Sequence, residues 1–136
     1  MDVQLINEEL FSKLFQQAET GERKRQFFDL RNSPNDTSQR MLNYLMVGTE
    51  VPIHRHEDTA ETVICIQGKL DEVFYEESAL DISVGEEKRF KEIARFCLCP
   101  EDGNYGIQIP KGMWHTVEVH KPSVIFEAKD GQYIPR

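Results

Sequence analysis

From about residue 25 onward the chain is a succession of short apolar segments cut by turn residues, and no other feature restricts its fold so strongly. Gln26–Leu30, Arg40–Val47, Thr62–Gln67, Leu70–Tyr75, Ala94–Cys99, Ile107–Ile109, Trp114–Val119 and Val124–Ala128 are rich in β-branched and aromatic residues. Between them stand turn formers: the run Asn32-Ser33-Pro34-Asn35-Asp36, Gly48, Gly68, Gly85, the run Glu101-Asp102-Gly103-Asn104, Gly112 and Gly131. Many short strands with regular turns predict a sandwich or barrel, and no strand alternates with a helix as a parallel α/β sheet requires. The stretch Glu76–Glu92 has the weakest pattern. Its charges at Glu86, Glu87, Lys88 and Arg89 predict an exposed excursion with a short strand at Leu80–Val84.

One helix is expected ahead of the sheet. Ile6, Leu10, Phe11, Leu14, Phe15 and Ala18 recur at helical spacing and form one apolar stripe. Asn7 is a natural cap, Glu8 and Glu9 suit the positive end of the helix dipole, and Gly21 is a stop. At 136 residues the chain is expected to be one domain, with residues 1–24 as a helix packed on a barrel built from residues 25–136.

Charge and composition remove several functions. Sixteen Lys and Arg against twenty-four Asp and Glu leave a net charge of −8, and the only dense basic run is Arg23-Lys24-Arg25, so a nucleic-acid partner is not expected. No apolar run approaches the roughly 18 residues that span a bilayer, so no membrane partner is expected either. The start Met1-Asp2-Val3 has no basic and then apolar leader. Three cysteines, an odd number without such a leader, read as reduced thiols of a cytoplasmic protein.

Three of the four histidines fall in two short segments. In the first, His54 and His56 are separated by one residue, so on an extended strand both rings face one side and Arg55 faces away. Glu61 opens the next strand, and antiparallel pairing with the first would bring its carboxylate to the same side, with Gly68 closing a hairpin into Leu70–Tyr75. Two imidazoles and a carboxylate suit a first-row divalent ion. In the second segment Pro110 and Gly112 make a tight turn, and His115 enters a strand on one face with Val117 and Val119. Trp114, Thr116, Glu118 and His120 take the other face, which places His120 outside.

These segments resemble the two motifs of the cupin superfamily. Gly48 to Gly68 matches G-x5-H-x-H-x4-E-x6-G at every specified position. The second motif, G-x5-P-x-G-x2-H-x3-N, is met at Pro110, Gly112 and His115, with Asn104 at the glycine position and Val119 at the asparagine position. The resemblance implies an all-β fold, a single double-stranded β-helix or jelly-roll barrel with an N-terminal helix. It also implies one divalent metal ion held by His54, His56, Glu61 and His115. A narrower resemblance, to the WbuC family of small cupin-fold metalloproteins, rests on Gln39–Asn43, the His-Arg-His triplet at 54–56, Glu61-Thr62-Val63, Gly112–Thr116 and Phe126–Tyr133. That family is often found among genes for surface polysaccharide synthesis. The chain departs from it at Asp29-Leu30-Arg31, where the family carries an Asn-x-His.

Three imidazoles and a carboxylate leave open positions on Fe, Mn, Co or Ni, and one on Zn, so the ion can act as a Lewis acid or orient an oxygen of a bound molecule. The expected partner is a small oxygen-rich molecule. An isomerase or epimerase, a metal-dependent dioxygenase, and a non-catalytic ligand-binding or sensor module all remain open, because fold does not imply function. Val63, Cys65, Val117 and Val119 share a face with the ligands and are expected to line an apolar pocket, with Arg40, Asn43 and Tyr133 as polar candidates at its mouth. The apolar outer face of Thr62, Ile64 and Ile66, added to the helix stripe, predicts a homodimer.

Overall fold

The computed structural model describes residues 1–78 and 89–131. Helix α1 spans Glu8–Thr20 and is followed by β1 (Arg25–Asp29), β2 (Ser38–Leu45), β3 (Glu61–Glu77), β4 (Phe90–Leu98), a 3-10 turn at Pro100–Asp102, β5 (Gly106–Ile109) and β6 (Trp114–Asp130). The pairing is antiparallel in the order β1-β2-β6-β3-β4, with β5 also on β3. This is the all-β fold that the strand and turn pattern predicts, and the jelly roll that the cupin resemblance implies. The expected strand at Leu80–Val84, and Tyr133, lie outside the described residues.

The structure overturns the hairpin expected at Gly68. β3 runs through it, so Thr62–Gln67 and Leu70–Tyr75 are two halves of one strand, and Trp114–Val119 and Val124–Ala128 likewise merge into β6. The reason is local. Gly68 has φ of +100°, and a Cβ there would lie 2.4 Å from Ser123 Oγ and 2.5 Å from the Pro122 carbonyl. Ser123 Oγ accepts a hydrogen bond from the Lys69 N–H at 3.0 Å and donates to the Lys121 carbonyl at 2.6 Å. The register between β3 and β6 slips three times between Cys65 and Leu70. Such a bulge bends a strand pair without reversing it, and Pro122, which has no N–H to give to the ladder, is tolerated there.

The bend lets the sheet cover its own inner face. Leu45, Val63, Cys65, Ile109 and Ile125 from one side pack with Leu70, Phe74, Leu98 and Val119 from the other in a single buried cluster. The outer face of β2 and β6 is covered by α1. Leu10, Phe11, Leu14 and Ala18 bury against Leu42, Tyr44 and Val124, and Phe15 meets Tyr44 edge to face at 5.6 Å. Asn7 Oδ1 accepts the Leu10 N–H at 3.1 Å and starts the helix one residue after Ile6, which is 50% exposed and outside the stripe it was expected to join. Among the described residues no helix is long and apolar enough to cross a membrane.

Gly68 and Gly112 test the bulge against each other. Gly112 also has positive φ, +81°, but nothing lies within 4 Å of an added Cβ. Gly112→Ala should therefore cost roughly 1–2 kcal/mol, the penalty of a left-handed L-residue. Gly68→Ala should cost about 1–3 kcal/mol more, from overpacking against Ser123 and Pro122. Urea denaturation measures both, and equal midpoints would mean that Ser123 and Pro122 do not restrict position 68.

Candidate metal centre

The His-x-His segment is not the extended strand that spacing alone suggests, and it does not pair with the strand of Glu61. It is fixed to β6 by a two-way backbone bridge. The His54 N–H donates to the His115 carbonyl at 3.0 Å, and the His115 N–H returns to the His54 carbonyl at 2.8 Å. One step on, the Gly112 N–H donates to the His56 carbonyl at 2.7 Å, so the turn that positive φ allows at Gly112 is tied to the same segment. Arg55 points away from the rings, as expected. Its guanidinium sits 4.5 Å over the Trp114 ring and pairs with Glu57 at 2.9 Å.

The three rings converge. Ligand atoms of His54, His56 and His115 all lie within 4.8 Å of one another, and the centroids of His54 and His115 are 4.3 Å apart. Two tautomers follow from the backbone. Nδ1 of His54 lies 2.9 Å from the Pro52 carbonyl, and Nδ1 of His115 lies 2.9 Å from the Met113 carbonyl. A carbonyl only accepts, so each Nδ1 carries a proton, and in the neutral ring Nε2 then holds the lone pair. A backbone carbonyl that holds the far ring nitrogen is a common support of metal-ligating histidines. His56 Nε2 is buried and lies 2.6 Å from Glu61 Oε2, yet the contact is not aligned as a hydrogen bond and the nitrogen has no hydrogen-bond partner. A buried polar atom left this way costs roughly 1–3 kcal/mol, which a shared cation between imidazole and carboxylate would recover. The three-histidine donor set fits a divalent metal, while Glu61, expected as a fourth ligand, touches His56 but is not part of the converging group.

Glu61, 5% exposed, stands at the first position of β3 opposite Ile109 and Lys129. The other expected residues divide. Val63, Cys65 and Val119 belong to the buried cluster, with Val117 packed against it. Asn43 lies on the inner face of β2, opposite Ile125. Arg40 has the parity of Leu42 and Tyr44, which face α1, and its guanidinium donates to the Ser38 and Leu30 carbonyls and to Asp36 Oδ2. His120 is on the outer face and pairs with Asp71 at 2.9 Å.

One inward carboxylate has no counterpart in the sequence reading. Glu72 is 2% exposed and shares its face with Leu70 and Phe74, and its ladder partner is Val117, two residues from His115. The signal that would have found it is the parity change across Gly68, which is visible only once β3 is known to be continuous.

Burial pushes the Cys65 thiol up to about 11, aided by the neighbouring Cys99 and Cys97. At neutral pH it is a protonated core group and not a thiolate. In the folded protein Cys65 and buried Cys99 should resist alkylation by iodoacetamide, while half-exposed Cys97 reacts first. Peptide mapping after limited labelling reads the order, and early modification of Cys65 would contradict the packing.

A family model described as a domain of unknown function, DUF6016, matches residues 6–83, more than half of the chain. No curated protein sequence matches it significantly. Solved structures do resemble it. The capsular polysaccharide assembling protein CapF from Staphylococcus aureus superposes with a TM-score of 0.56 at 19% identity, over 85% of this chain and 28% of that one. KdgF from Halomonas sp. gives 0.52 at 16%, over 80% of each chain. The Cnp3 cupin domain of Schizosaccharomyces pombe gives 0.52 at 9%, over 82% of this chain and 67% of that one. The chain thus spans under a third of CapF, and the likeness is one of fold: a single cupin jelly roll.

Proposed function

We propose that this chain, which belongs to the DUF6016 family, holds one divalent metal ion through His54, His56, His115 and Glu61 and uses it to bind or convert a small oxygen-rich molecule. The observation that carries this is the convergence of ligand atoms of His54, His56 and His115 within 4.8 Å, with backbone carbonyls facing Nδ1 of His54 and of His115. A divalent ion there would supply Lewis acidity toward an oxygen of the bound molecule. The protein's own groups do the rest. The bridge between His54 and His115 sets ring separation, Glu61 offsets positive charge beside His56, and the Val63–Cys65–Val119 packing keeps water from the rear of the site. A link to surface polysaccharide synthesis is supported by the WbuC-like segments and by the fold likeness to CapF. Three free cysteines support a reducing, cytoplasmic setting.

Elemental analysis of natively purified protein identifies the ion, and Fe, Mn, Co, Ni or Zn would fit the donor set. His54→Ala should weaken metal binding by at least about 10–100-fold, the loss typical of supporting groups alone. His120→Ala, on the outer face, should leave it unchanged. Equal metal content in both variants would refute the assignment.

We also infer a homodimer. Ile64 and Ile66 are 38% and 39% exposed on the outer face of β3, and Tyr105 beside them is 60% exposed. Closed two-fold pairs are the commonest way to cover such a face. Light scattering should give twice the 15.8 kDa chain mass, and a monomer mass would exclude the pair.

A further inference from the structure

We infer that the inner face of β1, β2 and β6 carries a binding site for a sugar-like, polyhydroxylated molecule, with Asn43 and Phe27 as its recognition pair. The inference rests on the metal-centre reading for the use made of that molecule. This face, the end of α1 at Gln17 and the turn at Gly21–Arg23 border an open cavity of about 370 Å³, within the range of small-molecule sites. Two rungs of the ladder line it: Phe27 stands opposite Asn43, and Met41 opposite Glu127. Directly opposed residues project to the same side. Asn43 also faces Ile125, and Glu127 faces Val63, both on the barrel interior. Through Glu127 and Val63 this face continues toward Glu61, which does not itself line the cavity. Glu61 is paired with Lys129, two residues from Glu127, a step of roughly 7 Å along the strand.

The chemistry of the lining selects a ligand class. Asn43 Oδ1 is shielded from water and has no hydrogen-bond partner, so its amide is not anchored there and can turn about its last torsion toward an incoming hydroxyl. Phe27 is 43% exposed on the same side and offers an apolar ring face. A sugar ring has one face of C–H groups and an edge of hydroxyls, which fits a ring platform beside an amide. Arg25 is held in place by donation to the Glu50 carbonyl at 2.9 Å. Arg23 and Arg25 are offset by Glu22 and Glu127 in the same lining, so the balance favours a neutral or singly charged polyol over a phosphate-rich one. An apolar ligand would leave the Asn43 oxygen unsatisfied.

The test is an NMR titration of labelled full-length protein with N-acetylglucosamine, galacturonate, cyclohexanol and inorganic phosphate, with metal content measured on each sample. A saccharide should give saturable shifts at the Asn43 side-chain amide and the Phe27 ring. Asn43→Leu and Phe27→Ala should each weaken saccharide binding by about tenfold, the scale of one lost hydrogen bond or one lost ring contact, with metal content unchanged. Phe27 lies on the edge strand, so its truncation keeps the test valid if Asn43→Leu does not fold. No saccharide shift, shifts from cyclohexanol of equal strength, or phosphate acting at Arg23 and Arg25 would overturn the inference. Saccharide binding by protein that never takes up metal would sink the metal centre and leave this site standing. Metal uptake without saccharide shifts would do the reverse.

Discussion

The fold depends on a bend at Gly68. β3 and β6 are each 17 residues long, and as a flat ribbon they would expose an apolar face on both sides. The slip in register between Cys65 and Leu70, held by Ser123 Oγ, turns the ribbon onto itself. Leu70 and Phe74 then bury against Val63, Cys65 and Ile125. Burying each such side chain is worth roughly 1.5–3 kcal/mol, but only after the bend has brought the halves together. No side chain larger than hydrogen fits at the bend, because Pro122 and Ser123 occupy the space a Cβ would need. One glycine thus sets the condition for the core.

The candidate centre is assembled at the far end of that bent ribbon, and backbone rather than side-chain contacts hold it. His115 enters at the start of β6, and its carbonyl and N–H take both backbone groups of His54. The adjacent turn, from Pro110 to Gly112, holds the His56 carbonyl. These bonds use backbone groups of the segment, and the two Nδ1 contacts are again to carbonyls. A site built in this way tolerates change in the surrounding side chains while the ring positions stay fixed.

Much of this was legible in the sequence. The strand and turn pattern, the helix at Glu8–Thr20 and the grouping of His54, His56 and His115 follow from period, capping and spacing, which are local properties. What was not legible is non-local. Gly68 has the sequence appearance of a hairpin turn, and only Ser123, more than fifty residues later, makes it a bulge. The pairing partner of the His-x-His segment is His115 and not the nearer strand of Glu61, a choice that chain distance does not reveal. Arg40 lies close to Asn43 in sequence but has the opposite parity, so it serves the Asp36 loop while Asn43 faces the interior.

The parity change at the bend has a chemical consequence. Glu61 and Glu72 are eleven positions apart, an odd number, so on an uninterrupted strand they would face opposite sides. The slip between Cys65 and Leu70 restores them to the same side, and both are buried, at 5% and 2% exposure. Their neighbour Asp71 takes the outer face. Burial works to raise its carboxyl, but bonds from His120 and Arg95 outweigh that and hold it below the usual range. The three buried acids of β3 are thereby sorted by the bulge: Asp71 is committed to a surface ion network, and Glu61 and Glu72 are turned inward. A buried carboxylate is expensive unless a cation or hydrogen-bond donor meets it. The His56 ring stands 2.6 Å from Glu61 Oε2, so the burial of that carboxylate is tied to the histidine segment.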